Sequence, residues 1–187
     1  MPAADRDKWN AIHGARADPS PGAPCAVLAD HAALLPPAGQ ALDLCCGSGR
    51  NALFLAGRGL DTEAWDISPI GLRALDEAAR KAGLRIATVE RDVVGQPPEP
   101  QSFDVIAVSR FLDRGLCPRI GSALRPGGLL FYQTFLRDGP HGGGPRNPEY
   151  RLAAGELLRL FSGLEVLEYR EDQDAGEAML VARRAQV

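Results

Sequence analysis

Apolar positions along the chain fall into two rhythms that take turns. Short, nearly unbroken apolar runs at 41–44, 103–109 and 129–135 have the pattern of strands buried on both faces of a sheet. Between them, apolar residues recur at helical spacing. Ala52, Leu53, Leu55 and Ala56 follow the first run. Ser68 and Pro69 then open a segment that runs to about residue 82 and stops at Gly83, a cap, a first-position proline and a terminating glycine in that order. Further strands are predicted over 61–66, 85–90, 164–169 and 178–182, and further helices from Cys117-Pro118 to the Arg125-Pro-Gly-Gly128 turn and over 154–161. Upstream, 5–12 reads as a short helix carrying Trp9, and 26–35 as a second helix ended by Pro36-Pro37. Residues 93–101 and 137–151 have neither period and read as loops. The second is long enough to be functional or disordered.

Strands that alternate with helices, followed by two closing strands, predict an α/β fold. The sheet is open, mostly parallel and seven-stranded, with helices on both faces and an antiparallel C-terminal edge strand. No linker divides the 187 residues, so one domain is expected: a helical arm or lid over 1–39 and a core over 40–187. In such sheets ligands sit at the carboxyl ends of the strands. The turns after strands one to five should therefore share one rim.

Composition narrows the field without naming a function. The chain is 45% hydrophobic and 24% charged, ordinary for a globular protein. A net charge of −3 gives no global field for nucleic acid, so none is expected as a partner. No apolar run approaches a membrane span, and Met-Pro-Ala-Ala-Asp-Arg-Asp-Lys does not resemble a secretion signal. Cys25, Cys45, Cys46 and Cys117 lack zinc spacing. Cys45 and Cys46 are adjacent on a strand and point to opposite faces, so they should not pair. Reduced thiols in a cytoplasm are expected. Arginine outnumbers lysine 19 to 2, which hints at a GC-rich bacterial genome. Three scattered histidines make no metal site.

The chemistry concentrates in Ala41-Leu-Asp-Leu-Cys-Cys-Gly-Ser-Gly-Arg-Asn-Ala52. A strand, a turn with Gly47 and Gly49, and a helix N-terminus make a nucleotide-type site. Asp66, about 20 positions on, closes the second strand, where a carboxylate accepts from ribose hydroxyls. The glycine spacing alone fits NAD or S-adenosylmethionine equally. Asp43 at the end of the first strand suits a sulfonium and an ammonium better than a pyrophosphate. Asp92 closes the third strand, placed to accept from an adenine amino group.

These segments, together with Phe103-Asp-Val-Ile106 and Leu124-Arg-Pro-Gly-Gly128, resemble the ordered motifs of class I S-adenosylmethionine-dependent methyltransferases. The resemblance covers roughly residues 40–183. The Cys-Gly-x-Gly-Arg-Asn variant is similar to the tellurite-resistance type. It implies a Rossmann-like fold, S-adenosyl-L-methionine as cofactor and a small-molecule acceptor, an oxyanion or other small anion. Gly47 and Gly49 would meet the methionine part, Asp43 its amino group, Asp66 the ribose, and Asp92 and Val93 the adenine. Ser109 would line the methionine side. Cys45 and Ile67 complete the cofactor set. Arg50 and Asn51 are candidates for the cofactor carboxylate, with an ordinary helix cap as the alternative for Asn51. The family usually has glycine at Cys45, and a Cβ there disfavours positive φ. Arm segments of this kind cover the cofactor in the family, which makes Trp9 a lid candidate beside a plain packing role.

No catalytic residue is evident. Methyl transfer needs alignment and water exclusion more than a dedicated base. Candidates on the acceptor rim are Arg110, Arg114, Tyr132, His141 and Arg146, with Tyr150 beside them. Arginine forks match paired oxygens. Two rivals remain: a non-catalytic S-adenosylmethionine-binding protein and an NAD-dependent oxidoreductase. Asp43 speaks against the second, as does the lack of a hydride-transfer constellation. Oligomeric state is not readable.

Overall fold

The sheet grows outward from β4, Phe103–Ser109, whose central residues are all apolar and buried. β1 (Gln40–Leu44) and β5 (Leu124–Phe135) flank it in parallel. β2 (Asp61–Asp66) and β3 (Ile86–Glu90) extend one side, and β7 (Glu177–Arg183) and β6 (Glu165–Asp172) the other. The order is β3-β2-β1-β4-β5-β7-β6, seven strands in one sheet. β7 is antiparallel to both neighbours. The C-terminal strand thus inserts between β5 and β6, and the edge itself is β6. This is a computed structural model, described over residues 3–15, 22–138 and 144–186.

Strand alternation separates two cores. Leu42, Leu44, Ile106, Val108, Leu130 and Tyr132 face one side, where α5 (Cys117–Ala123) and α6 (Glu156–Leu160) cover them. Ala41, Val105, Ala107, Leu129, Phe131 and Val181 face the other. There α2 (Ala26–Asp30), α3 (Arg50–Gly57) and α4 (Pro69–Ala82) pack. Each fully buried large side chain contributes about 1.5–3 kcal/mol, so these layers hold the strand ends in place. α1 (Ala3–Gly14) lies against α4.

Some boundaries differ from the sequence reading for local reasons. The segment read as a helix over 26–35 stops at Asp30 and resumes as a 3₁₀ turn, Ala32–Leu34. His31 between them donates from Nδ1 to the Val27 carbonyl and pairs through Nε2 with Glu168. The Arg125-Pro-Gly-Gly128 turn is a bulge inside β5, where pairing with β4 shifts between Phe103 and Val105. A Cβ on Gly128 would lie 2.9 Å from the Arg125 carbonyl oxygen, so only glycine lets the strands close again. α4 begins and ends as read: the Ser68 hydroxyl accepts from the Gly71 N–H, and Gly83 has φ +67°. Among the described residues, no helix is long and apolar enough to cross a membrane.

Candidate cofactor and acceptor site

The turn between β1 and α3 is the tightest piece of backbone on the rim. Cys45, Gly47 and Gly49 all have positive φ, at +57°, +57° and +77°. Cys45 takes up the conformation that its Cβ disfavours, at a cost of about 1–2 kcal/mol. Its thiol packs on the cluster around Tyr132, while Cys46 joins Ala52, Ala64, Leu72 and Leu75 on the other face. All four cysteines are free. Gly49, not Asn51, stands at the N-cap of α3.

Asp43 is 1% exposed. Its carboxylate accepts from the Asn51 amide at 3.2 Å and from the Ala52 N–H at 2.9 Å. Burial pushes its carboxyl up to about 7, against the pull of those two hydrogen bonds and of Arg50. Asn51 is a buried junction. It accepts from the Cys25 N–H at the start of α2 and donates to Asp43 and to the Ser109 hydroxyl. Asn51 thus supports the carboxylate of Asp43, and both hydrogens of its amide are engaged within the chain.

Asp66 ends β2 as read. One oxygen accepts from the Gly47 N–H at 2.7 Å and the other from the Ser68 N–H at 2.8 Å. Burial raises its pKa; the N–H groups and the charge of His13 pull it back. Each oxygen keeps a further lone pair, and Ile67 follows half-buried. Asp92 lies two residues beyond the end of β3, so it does not close the strand. It caps the next turn, accepting from the Val94 and Gly95 N–H groups. Val93 is 2% exposed and packs into the core with Trp65 and Phe103; its side chain does not face the rim.

At the end of β4, Ser109 meets Asn51 and Arg50. Arg110 is exposed with φ +56°, and its N–H donates to the Gln133 carbonyl. Its guanidinium lies 3.9 Å from Glu177. Arg50 is half-buried, and burial and then the charge of Arg110 lower its pKa. The charge of Arg110 at the end of β4 thus reaches Arg50 at the start of α3.

Two rim candidates belong to the framework instead. Tyr132 is fully buried, and its hydroxyl donates to the Phe111 carbonyl at 2.9 Å. Position 132 falls on the core face of β5, a parity that the apolar run around it hides. Arg114 is spent on a bidentate pair with Glu156 at 2.6 and 3.0 Å and on the Glu149 and Arg151 carbonyls. It ties the loop to α6. Arg146 is exposed on that loop, and Tyr150 is exposed in the turn Pro148–Tyr150. His141 lies outside the described residues.

Four contributors escape the sequence reading. His13 and Asn10 of α1 reach the glycine loop and Ser68. Gln133 accepts from the Val27 N–H and donates to Glu177. Arg151, buried, donates to the Pro145 and Leu136 carbonyls. Only the polar break of Gln133 in an apolar strand signals its role beforehand. Trp9 is half-buried and stacks on His13. A groove of about 900 Å³ between α3, α4 and β3 includes Asp61 and Arg85, the entry ends of the strands. It lies away from this rim.

A model of a methyltransferase domain matches residues 41–128, the span from β1 to the bulge of β5. A curated relative from Haemophilus influenzae, described as a probable S-adenosyl-L-methionine-dependent methyltransferase TehB, is 30% identical over 142 residues, covering 71% of this chain and 48% of the relative. The chain belongs to the S-adenosylmethionine-dependent methyltransferases. It spans about half the length of the curated relatives it matches. The crystal structure of TehB from that organism superposes with a TM-score of 0.72 at 22% identity, over 96% of this chain and 66% of TehB. A methyltransferase of Aquifex aeolicus gives 0.69 at 16% identity, over 98% of both chains. These two likenesses establish the fold.

The cofactor of this family is S-adenosyl-L-methionine, and the rim fits it. Asp43 and Asp66 are buried carboxyl groups at the ends of β1 and β2, and Arg50 offers a cation nearby. A nucleoside with an ammonium, a carboxylate and a diol meets complementary groups here. A pyrophosphate would meet Asp43 and Asp66.

Proposed function

We propose that this chain transfers the methyl group of S-adenosylmethionine to a small anionic acceptor held at the ends of β4 and β5. The observation that carries the reading is Arg110, an exposed guanidinium at the end of β4 whose charge reaches the half-buried Arg50. An anion beside Arg110 relieves the repulsion between the two. In this reading Gly47, Gly49 and Asp43 hold the methionine part, Arg50 its carboxylate, Asp66 the ribose, and Asp92 and Ile67 flank the adenine. Arg110 and the loop carrying Arg146 and Tyr150 receive the acceptor. When bound, the cofactor supplies an activated methyl group on a sulfonium. The chain's residues orient the two partners and exclude water. The similarity of the Cys-Gly-x-Gly-Arg-Asn segment to the tellurite-resistance type suggests an oxyanion. The net charge of −3 disfavours a nucleic-acid acceptor. The free cysteines suit a cytoplasm, and residues 1–39 and 40–187 act as one unit, arm and core.

The test is a panel of acceptors, including selenite, tellurite and small carboxylates, with release of S-adenosylhomocysteine as the readout. One anion should turn over, and Arg110→Ala should raise its KM about tenfold or more, the loss expected for a charged hydrogen bond, with cofactor affinity unchanged. Turnover confined to neutral acceptors would overturn the anionic reading. Cofactor binding without turnover of any acceptor would favour a binding protein.

A further inference from the structure

α1 presents its inward face to the cofactor loops. Asn10 accepts from the Ser68 hydroxyl at 2.7 Å. One turn on, the His13 ring rests on two glycines from different elements. A Cβ on Gly47 would lie 3.1 Å from its Cε1, and one on Gly71 would lie 3.3 Å from its Cδ2. The imidazole thus sits close over both, Gly47 in the loop after β1 and Gly71 in the first turn of α4, where a Cβ would first meet the Gly47 carbonyl oxygen at 2.8 Å. Trp9 stacks on the ring from α1 itself, with centroids 6.0 Å apart.

The charge of His13 also acts on Asp66, favouring the ionised carboxylate that burial disfavours. A carboxylate must be ionised to accept two hydrogen bonds from a diol while still accepting from Gly47 and Ser68. Helix and glycine loop therefore meet at this side chain, and the Gly47 N–H carries the contact on to Asp66 at 2.7 Å.

We propose that His13 is a positioning residue of the cofactor site, holding Asp66 and the Gly47 loop in their binding arrangement and making α1 a wall of that site. The inference rests on the assignment of Asp66 to the cofactor's ribose. It assigns to the arm a contribution to affinity that mere packing of Trp9 would not give. Removing His13 loosens the loop and the carboxylate together, so its effect depends on Asp66 being a carboxylate.

The test is calorimetric titration of the full chain with S-adenosylhomocysteine, for wild type, His13→Ala, His13→Gln, Asp66→Asn and the double variant His13→Ala with Asp66→Asn. His13→Ala should bind about tenfold more weakly, and His13→Gln, which keeps a side chain over Gly47 but not the charge, should fall between His13→Ala and wild type. In the Asp66→Asn background, His13→Ala should add less than about twofold, the signature of two coupled groups. Amide exchange along α1 should slow on binding in wild type and not in His13→Ala. Wild-type affinity in His13→Ala, even with a lowered Tm, would overturn the proposal, as would an equal loss in both backgrounds. Wild-type affinity in Asp66→Asn would instead remove the ribose assignment beneath it.

Discussion

Cys45 sets the local energetics of the glycine loop. Its φ of +57° costs about 1–2 kcal/mol relative to glycine, yet its thiol is packed against the Tyr132 cluster. Two substitutions separate these effects. Cys45→Ala loses the packed sulfur and keeps the strain. Cys45→Gly loses the same sulfur and relieves the strain, against about 0.5–1 kcal/mol of added chain entropy in the unfolded state. Thermal unfolding should therefore find the glycine variant at least as stable as the alanine variant. A glycine variant clearly below alanine would mean that the backbone there carries no strain. Arg110 has the same positive φ at the end of β4. Two side-chain-bearing residues held in this region on one rim mark where the fold accepts strain to place a group.

At the scale of elements, α4 shows what the sequence can and cannot announce. Ser68, Pro69 and Gly83 spell out its start and stop, and the helix runs between them. The Ser68 hydroxyl does more than its position suggests, since it accepts from Gly71 and donates to Asn10 of α1. Ser68→Ala should therefore cost about 1 kcal/mol as a lost cap, read from denaturant unfolding. It should also speed amide exchange in α1 more than in α6. Uniform exchange across both helices would show that the Asn10 contact does not fasten the arm. The strands were legible because burial on both faces leaves an apolar run. Tyr132 and Arg114 were misplaced because periodicity does not say which face of β5 looks into the core, nor that Glu156 waits for a guanidinium 42 positions away. Asp66 sat at a strand end that spacing alone marks. His13 did not, because nothing in a short polar helix tells which loop it will touch.

Across the whole molecule, one buried carboxyl links folding, pH and cofactor. Asp43 has its carboxyl at about 7 in the folded chain against 3.8 in the unfolded one. Below about pH 3 both states are protonated and the group is neutral with respect to stability. As pH rises towards 7, the unfolded chain ionises while the folded one does not, so stability falls; above 7 it levels off. Three pH units correspond to a loss of up to about 4 kcal/mol from this group alone. An ammonium placed beside Asp43 reverses the preference, because the ionised form then has a partner. If the amino group of the cofactor takes that place, binding near pH 6 releases a proton. Affinity for S-adenosylhomocysteine then climbs as pH rises from 5 to 7. Calorimetry at pH 6 in two buffers of different ionisation enthalpy should count that proton in wild type and miss it in Asp43→Asn. Stability should fall with pH less steeply in Asp43→Asn than in wild type, because Asn has nothing to ionise. Equal proton release in both proteins would place the ammonium elsewhere and leave Asp43 as a bolt between β1 and α3.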